Sequence, residues 1–355
     1  MPAFAESAAE PPLADSYHAL LRRDQGSNRV VDACATAVPS TGCQAQPQPV
    51  SECELPMIDV GCLTAAGATP QERAACAAAI AAAASEWGFF QVVNHGVRQD
   101  LLDAMRREQV RLFRLPFEAK TTAGLLNDSY RWGTPTATSS GQLSWSEAFH
   151  VPLAGISDDR CSYGELTSIR DVTQEVAIAM SKLANTLARV LAESLGHSRA
   201  GSQFPEGCDE RTCFLRLNRY PPCPFSPDAF GLVPHTDSDF LTVLCQDQVG
   251  GLQLMKGSRW VAVKPIPNAL IVNIGDLFQA WSNDRYKSVE HKVVTNATTE
   301  RFSVAYFLCP SYDSPIGACE EPSPYRTFTF GEYRRRVQED VKKTGKKIGL
   351  PNFLM

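Results

Sequence analysis

Between residues 213 and 308 the chain breaks into seven short β-rich runs, at 213–220, 241–245, 252–255, 260–263, 269–274, 288–294 and 301–308, punctuated by Gly, Pro and Asn. Apolar runs of this length bounded by turn residues read as strands. Seven of them in about a hundred residues predict a sandwich or a barrel.

The segment ahead of this region has a different period. Over 171–195, Val176, Met180, Leu183, Leu187, Val190, Leu191 and Leu195 recur at three- and four-residue spacing, which predicts a long amphipathic helix backing a sheet. Further upstream, 55–59 reads as extended, 70–87 as a helix, 89–93 as a strand closed by the turn at Asn94-His95-Gly96, and 99–114 as a helix stopped by Pro116. Residues 129–153 are rich in Gly, Ser, Thr and aromatics, and 330–347 is charged and helix-like. Residues 1–51 are Ala-, Pro-, Gln- and Ser-rich with little periodicity, so a flexible extension is expected there. Leu13, Tyr17, Leu20 and Leu21 leave room for one short docked helix within it. The chain is thus divided into 1–51, 55–165, 166–205, 208–311 and 312–355.

Composition removes several function classes. The 34 Lys and Arg against 39 Asp and Glu leave a net charge of −5, with no general attraction for a polyanion, so nucleic acid is not an expected partner. The most apolar stretch, 74–84, is alanine-rich and well short of the roughly 20 residues a bilayer span needs, so no membrane partner is expected. Glu6 and Glu10 stand where a leader peptide avoids acid, and the twelve cysteines include no CxxC pair. Reduced thiols in a cytoplasmic protein, or one that also enters the nucleus, are expected.

The chemistry concentrates in the β-rich half. Pro234-His-Thr-Asp237 places an imidazole and a carboxylate two residues apart on one face of an extended segment. His291, 54 positions after Asp237, lies on another expected strand. Two His and one carboxylate make the facial triad that binds non-heme Fe(II) and leaves positions open for a chelating co-substrate and oxygen. An HxD alone is more often a surface turn; the strand 301–307 shifts the balance. Its alternation puts Arg301, Ser303, Ala305 and Phe307 on one face, and a guanidinium pointing into a barrel requires an anion. A dicarboxylic acid chelating the metal at one end supplies that anion at the other. Arg216, Asn218 and Tyr220 share a face of the opening strand, from which Tyr220 could donate to the same carboxylate.

These residues resemble the plant 2-oxoglutarate- and Fe(II)-dependent dioxygenases. The resemblance runs through Asn218-Arg-Tyr-Pro-Pro-Cys-Pro224, His235-Thr-Asp237, Gly250-Gly-Leu-Gln-Leu254, Asn273-Ile-Gly-Asp276, Ser282 to Ser288, His291 and Arg301-Phe-Ser303, and upstream through Trp87 to Gly96. It implies a mixed α/β fold, a double-stranded β-helix or jelly roll with flanking helices, its core at 208–311 and an N-terminal dioxygenase region at 55–165. It further implies His235, Asp237 and His291 as ligands of Fe(II), Arg301 with Ser303 on the distal carboxylate of 2-oxoglutarate, Asn218 and Tyr220 as secondary contacts, O2 as second substrate and ascorbate as a supporting reductant. His95 lies in a family motif but suits a turn, and His18, His150 and His197 receive no role.

Further stretches, 129–133, 143–150, 231–235, 244–250, 307–313 and 345–353, are similar to gibberellin 2-oxidases, the class acting on twenty-carbon precursors. This similarity implies a small-molecule substrate, a gibberellin, hydroxylated at C-2 on the β face with loss of hormone activity. Tyr130, Trp132, Trp145, Phe240 and Phe307 are then candidates for an apolar pocket around a fused-ring diterpenoid, with Arg131 on its carboxylate. Two other readings share the motifs: a dioxygenase of another plant metabolite such as a flavonoid, and a relative that binds without turnover. An isopenicillin synthase-type oxidase also shares the iron and the Arg-x-Ser pair, but spends the arginine on its substrate's carboxylate.

Overall fold

The computed structural model describes residues 10–31, 50–64, 67–122, 125–156, 166–196 and 212–355. Thirteen strands form two sheets: β1 (Glu52–Cys53), β2 (Met57–Asp59), β3 (Phe89–Val93), β4 (Tyr130–Trp132), β5 (Glu147–Pro152), β6 (Phe214–Tyr220), β7 (Phe230–His235), β8 (Leu241–Gln246), β9 (Leu252–Lys256), β10 (Arg259–Val263), β11 (Leu270–Ile274), β12 (His291–Val294) and β13 (Arg301–Leu308). One sheet has the order β2-β3-β11-β8-β13-β6-β5-β4 and the other β1-β10-β9-β12-β7. Strands distant in sequence lie side by side, β13 between β6 and β8 and β12 between β7 and β9, which is the jelly-roll winding. The expected strands are all present, within a few residues at their ends.

Six helices matter to the argument: α1 (Leu13–Val31), α2 (Pro70–Glu86), α3 (Gln99–Phe113), α4 (Thr167–Ser194), α5 (Asp276–Trp281) and α6 (Phe330–Thr344). A capping box starts α2, in which Thr69 accepts from the Glu72 amide and Glu72 accepts from the Thr69 amide, with Pro70 in the first turn. Ile169, Val176, Met180, Leu183, Leu187 and Leu191 of α4 are buried against β8 and β13 and against α2 and α3. On β13 the alternation holds: Phe302, Val304 and Tyr306 join this helix-backed core, while Arg301, Ser303, Ala305 and Phe307 face the space between the sheets. Burying each large side chain of that core is worth roughly 1.5–3 kcal/mol. No helix among the described residues is long and apolar enough to cross a membrane.

Two expectations need correction. Residues 10–31 are not a flexible extension. The face of α1 carrying Leu13, Tyr17 and Leu20 is buried with Leu143, Trp145, Cys223 and Ala229, and Tyr17 stacks on Phe225 at 4.3 Å. That apolar patch is assembled from segments over a hundred residues away, so the helix had no visible partner in its own neighbourhood. Residues 1–9 and 32–49 of the expected extension lie outside the described residues. Strands β4, β5 and β7 were not anticipated. The last contains Gly231 and Pro234, which read as breakers; a Cβ at 231 would lie 2.8 Å from the Tyr220 ring, so only glycine lets β7 close over β6.

Strand β5 also carries a buried charge cluster. Glu147, fully buried, accepts from Lys120 Nζ at 2.6 Å, Arg219 Nη1 at 2.7 Å and the Tyr130 hydroxyl at 2.5 Å. Arg219 is satisfied further by Glu300 at 3.0 Å and by Glu10, just ahead of α1, at 2.6 Å. Glu147→Ala takes from buried Lys120 its 2.6 Å carboxylate and from Arg219 one of three, and is expected to destabilise the protein by about 3–5 kcal/mol. Urea unfolding should register this as a lowered midpoint, with a smaller loss for Glu147→Gln.

Candidate active site

Strands β7 and β12 are antiparallel neighbours, and His235 lies directly opposite His291. Their rings therefore project to the same side, with centroids 4.4 Å apart. The ring Nδ1 of His235 lies 2.8 Å from the Val233 carbonyl, and that of His291 lies 3.0 Å from the Val289 carbonyl. A carbonyl can only accept, so each Nδ1 carries the proton and each Nε2 presents a lone pair. Asp237 completes the group: its Oδ2 accepts from Thr242 Oγ1 at 2.6 Å and Asn273 Nδ2 at 2.8 Å. Its Oδ1 is left 3.6 Å from His235 Nε2 and 3.7 Å from His291 Nε2.

Three ligand atoms thus lie within 4.8 Å of one another, aimed at a common point. Burial, reinforced by His291, pushes the His235 imidazole down to about 3, so it is the neutral, ligating form near neutral pH. Burial acts to raise Asp237, but His291, His235 and the hydrogen bonds from Thr242 and Asn273 outweigh it and hold its carboxyl down at about 2. The Thr242 hydroxyl also lies 2.9 Å from Asp239 Oδ2, and one hydroxyl proton cannot serve two carboxylates. Burial and then the Asp237 charge push Asp239 well above the ordinary carboxyl range, so Asp239 contributes the second proton. Two imidazoles and one carboxylate, with no thiolate among them, are a donor set that suits Fe(II).

The same cavity, about 360 Å³, reaches Arg301. That side chain is 3% exposed and stands 4.9 Å over the Tyr220 ring. Its Nη2 donates to Gln246 at 2.8 Å, while Nε and Nη1 have no hydrogen-bond partner among the described residues. A buried guanidinium with unspent donors is unfavourable unless an anion meets it. The Ser303 hydroxyl lies alongside on the same strand face and accepts from Asn218 Nδ2 at 3.3 Å; the Asn218 carbonyl oxygen in turn accepts from Arg216 Nε at 2.8 Å. His235, Asp237, His291, Arg301, Ser303, Asn218 and Tyr220, singled out in the sequence, are therefore all brought to one cavity.

The substrate-pocket candidates fare differently, and of the six only Phe307 lines the cavity. Tyr130 is turned into the Glu147 cluster. Arg131 donates to the carbonyls of Asp128 and Tyr130 at 2.8 and 2.6 Å on the surface. Trp132 packs edge-on against Phe117 at 5.9 Å, and Trp145 belongs to the cluster under α1. Phe240 is fully buried beside Phe278, away from the cavity. The first four lie on or just ahead of β4, the sheet's edge strand, and its neighbour β5. In their place the wall is formed by His150, Phe214, Arg216 and, from α6, Arg334. Phe214 stacks on Phe307 at 4.4 Å and lies tilted against His150 at 4.0 Å. Strand alternation from Asn218 was the available signal for Phe214 and Arg216; Arg334 had none, because only the tertiary fold returns α6 to the barrel mouth. His95 is satisfied as a turn residue, near the Val97 amide and the Asn268 carbonyl.

His150 has a consequence for acid stability. Burial, and after it Arg216, Arg334 and Arg131, push its imidazole down to about 3. The unfolded chain takes up a proton near 6.5. Between those values the unfolded state binds more protons, so stability falls as pH drops below about 6.5, by at most about 1.4 kcal/mol per pH unit for this group. The metal-free protein should show a lower urea midpoint at pH 5 than at pH 7, and His150→Phe should reduce that difference.

Comparisons with known proteins agree with this geometry. Residues 211–310 match the family model of the 2OG-Fe(II) oxygenase superfamily, and residues 55–170 match that of the non-haem dioxygenase in morphine synthesis N-terminal region. Gibberellin 2-beta-dioxygenase 6 of Oryza sativa subsp. japonica is 68% identical over 99% of this chain and 98% of its own length. Gibberellin 2-beta-dioxygenase 8 of Arabidopsis thaliana is 56% identical over 86% and 88%. The solved structure of JOX2 in complex with 2OG, Fe, and JA superimposes with a TM-score of 0.72 at 32% identity, covering 92% of this chain and 97% of that one. The donor set, the unspent guanidinium, the jelly-roll topology and these similarities lead to one conclusion: the chain belongs to the 2OG-Fe(II) oxygenase superfamily and is a dioxygenase dependent on Fe(II) and 2-oxoglutarate.

Proposed function

We propose that this enzyme is a gibberellin 2-beta-dioxygenase that hydroxylates twenty-carbon gibberellins at C-2 and thereby withdraws them from the active hormone pool. The observation that carries the reading is the similarity over most of the chain, at 43–68% identity, to four proteins named gibberellin 2-beta-dioxygenase, against 36–39% for jasmonate-induced oxygenases. The cavity chemistry supports it: stacked aromatic walls for a fused-ring skeleton, and cationic side chains for its carboxylate.

When bound, Fe(II) with 2-oxoglutarate supplies O2 activation and C–H hydroxylation, with succinate and CO2 as co-products. The chain's own residues bind and orient. His235 and His291 offer Nε2, fixed by the carbonyls behind their Nδ1–H groups, and Asp237 offers Oδ1 while Thr242 and Asn273 hold Oδ2. Arg301 keeps unspent N–H donors for a distal carboxylate, assisted by Ser303, while Tyr220 covers the guanidinium face. For the substrate's carboxylate, Arg216 and Arg334 take the role expected of Arg131; both line the cavity, and the hydroxyl of Tyr312 holds Arg334 Nη1 at 2.6 Å. Phe214 and Phe307 limit the orientation of the rings, so one carbon is presented to the metal.

Three measurements test this. Arg301→Ala should raise the apparent KM for 2-oxoglutarate by two or more decades, following a cost of about 3–5 kcal/mol for breaking a buried charge pair, with only partial rescue by Lys. In a panel of nineteen- and twenty-carbon gibberellins and flavanones, mass spectrometry should find a single 2β-hydroxylated product from the twenty-carbon compounds. Arg334→Ala should weaken apparent gibberellin binding and leave the 2-oxoglutarate KM unchanged. Preferred turnover of nineteen-carbon gibberellins would overturn the subclass, and reaction of flavanones alone would overturn the hormone assignment.

A further inference from the structure

The C-terminal segment after α6 does more than close the fold. Gly345 ends α6 in the left-handed conformation, with φ 75°, and sends the chain back across the barrel. Lys347, two residues on, is largely buried, its side chain 12% exposed, and its ammonium finds three acceptors: the Thr236 carbonyl at 2.9 Å, Ser238 Oγ at 2.9 Å and Asp276 Oδ2 at 2.8 Å. Two N–H donors are spent on hydrogen bonds to Thr236 and Ser238, and the Asp276 carboxylate pairs with the charge. Thr236 and Ser238 are the residues on either side of Asp237.

Asp276 strengthens the same grip. Its backbone amide donates to the Asp237 carbonyl at 3.0 Å, and its carboxylate accepts from Thr236 Oγ1 at 3.1 Å, from Ser288 Oγ at 2.6 Å and from the Tyr333 hydroxyl of α6. Ser288 lies three residues ahead of His291. Gly349 allows the tail to come this close, since a Cβ there would stand 3.0 Å from Asp276 Oδ2.

We propose that Lys347, anchored by Asp276, is a positioning residue for the metal centre: it clamps the loop 235–239 from behind and fixes where Asp237 presents its free oxygen. A facial triad needs its carboxylate placed to a fraction of an ångström, yet Asp237 lies beyond the end of β7, where no strand ladder holds the backbone. The ammonium supplies that restraint from a point 110 residues away in sequence. The proposal rests on the metal site assigned above to His235, Asp237 and His291.

The test measures Fe(II) binding to the full-length apoprotein by anaerobic equilibrium dialysis, beside thermal unfolding of the same samples. Lys347→Met keeps the length of the stem without the charge and should weaken Fe(II) affinity at least tenfold. Lys347→Gln, which retains one amide donor, should fall between Met and wild type and replaces it if Met does not fold. Asn352→Ala serves as the comparator, since it loosens the same tail by removing the hydrogen bonds to Asp340 at 2.7 Å and from Arg336 at 3.1 Å, neither of which involves Lys347, Asp276 or Tyr333. It should lower the melting temperature and leave Fe(II) affinity within twofold of wild type. Wild-type affinity in the Lys347 variants, or an equal loss in Asn352→Ala, overturns the proposal and reduces the ion pair to a structural one. Asp237→Ala separates the two assignments: if it also binds Fe(II) normally, the metal site is wrong rather than the clamp.

Discussion

The in-register pairing of His235 with His291 governs everything placed around it. Side chains alternate along a strand, so slipping β12 by one residue would turn His291 out of the cavity and bring Lys292 in. Register is held on both sides of β12, by β7 through His235 and Leu232 and by β9 through Leu254, Gln253 and Leu252. Leu252 and Leu254 are buried in a satellite cluster with Leu55, Phe89 and Ile271, so a slip would also expose apolar surface. Metal geometry and hydrophobic burial therefore favour the same pairing, and neither has to be bought at the expense of the other.

Two buried guanidiniums show how burial separates structure from function. Arg219 is as deeply buried as Arg301, but Glu147, Glu300 and Glu10 satisfy all three of its nitrogens. Nothing remains for a ligand, and its effect is to tie β5, β6 and the residue ahead of α1 together. Arg301 keeps two donors without a protein acceptor among the described residues and faces the cavity rather than a neighbouring strand. The same side chain at the same depth is thus a staple in one place and a binding site in the other. The difference lies in the partners and not in the burial.

The walls of the cavity come from different parts of the chain than its floor. The triad, Arg301 and Ser303 stand on or beside strands of the central jelly roll, whose ladders restrict movement. His150 comes from β5, next to the sheet's edge, and Arg334 from α6, elements outside that core, and these shape the space a substrate occupies. Conserving the strands while varying the surrounding elements allows one oxidative chemistry to serve many substrates. The tail at Lys347 and Gly349 connects the two parts, because it shares Asp276 with the loop that presents Asp237.

Periodicity made the strands of the barrel, the helix α4 and the facing of β13 legible from the chain, because period-two and period-3.6 patterns are local properties of the backbone. The HxD spacing and the inward arginine were legible for the same reason, together with the chemistry that such a pair requires. The five misplaced pocket residues and the missed Arg334 have the opposite origin. Whether an aromatic on an edge strand faces a cavity, a helix or a buried carboxylate depends on which segments fold against it, and those segments lie from tens to hundreds of residues away. Tyr130 turned towards Glu147, and α1 found its apolar partner at Leu143 and Trp145, through contacts between distant segments that no local pattern encodes. The sequence by itself determined most of the secondary structure, though not β4, β5 and β7, and with it the metal-binding motif and the buried cation. Tertiary structure alone decided which side chains wall the cavity and that the C-terminal tail returns to the metal loop, because those outcomes depend on strand order and packing between remote segments.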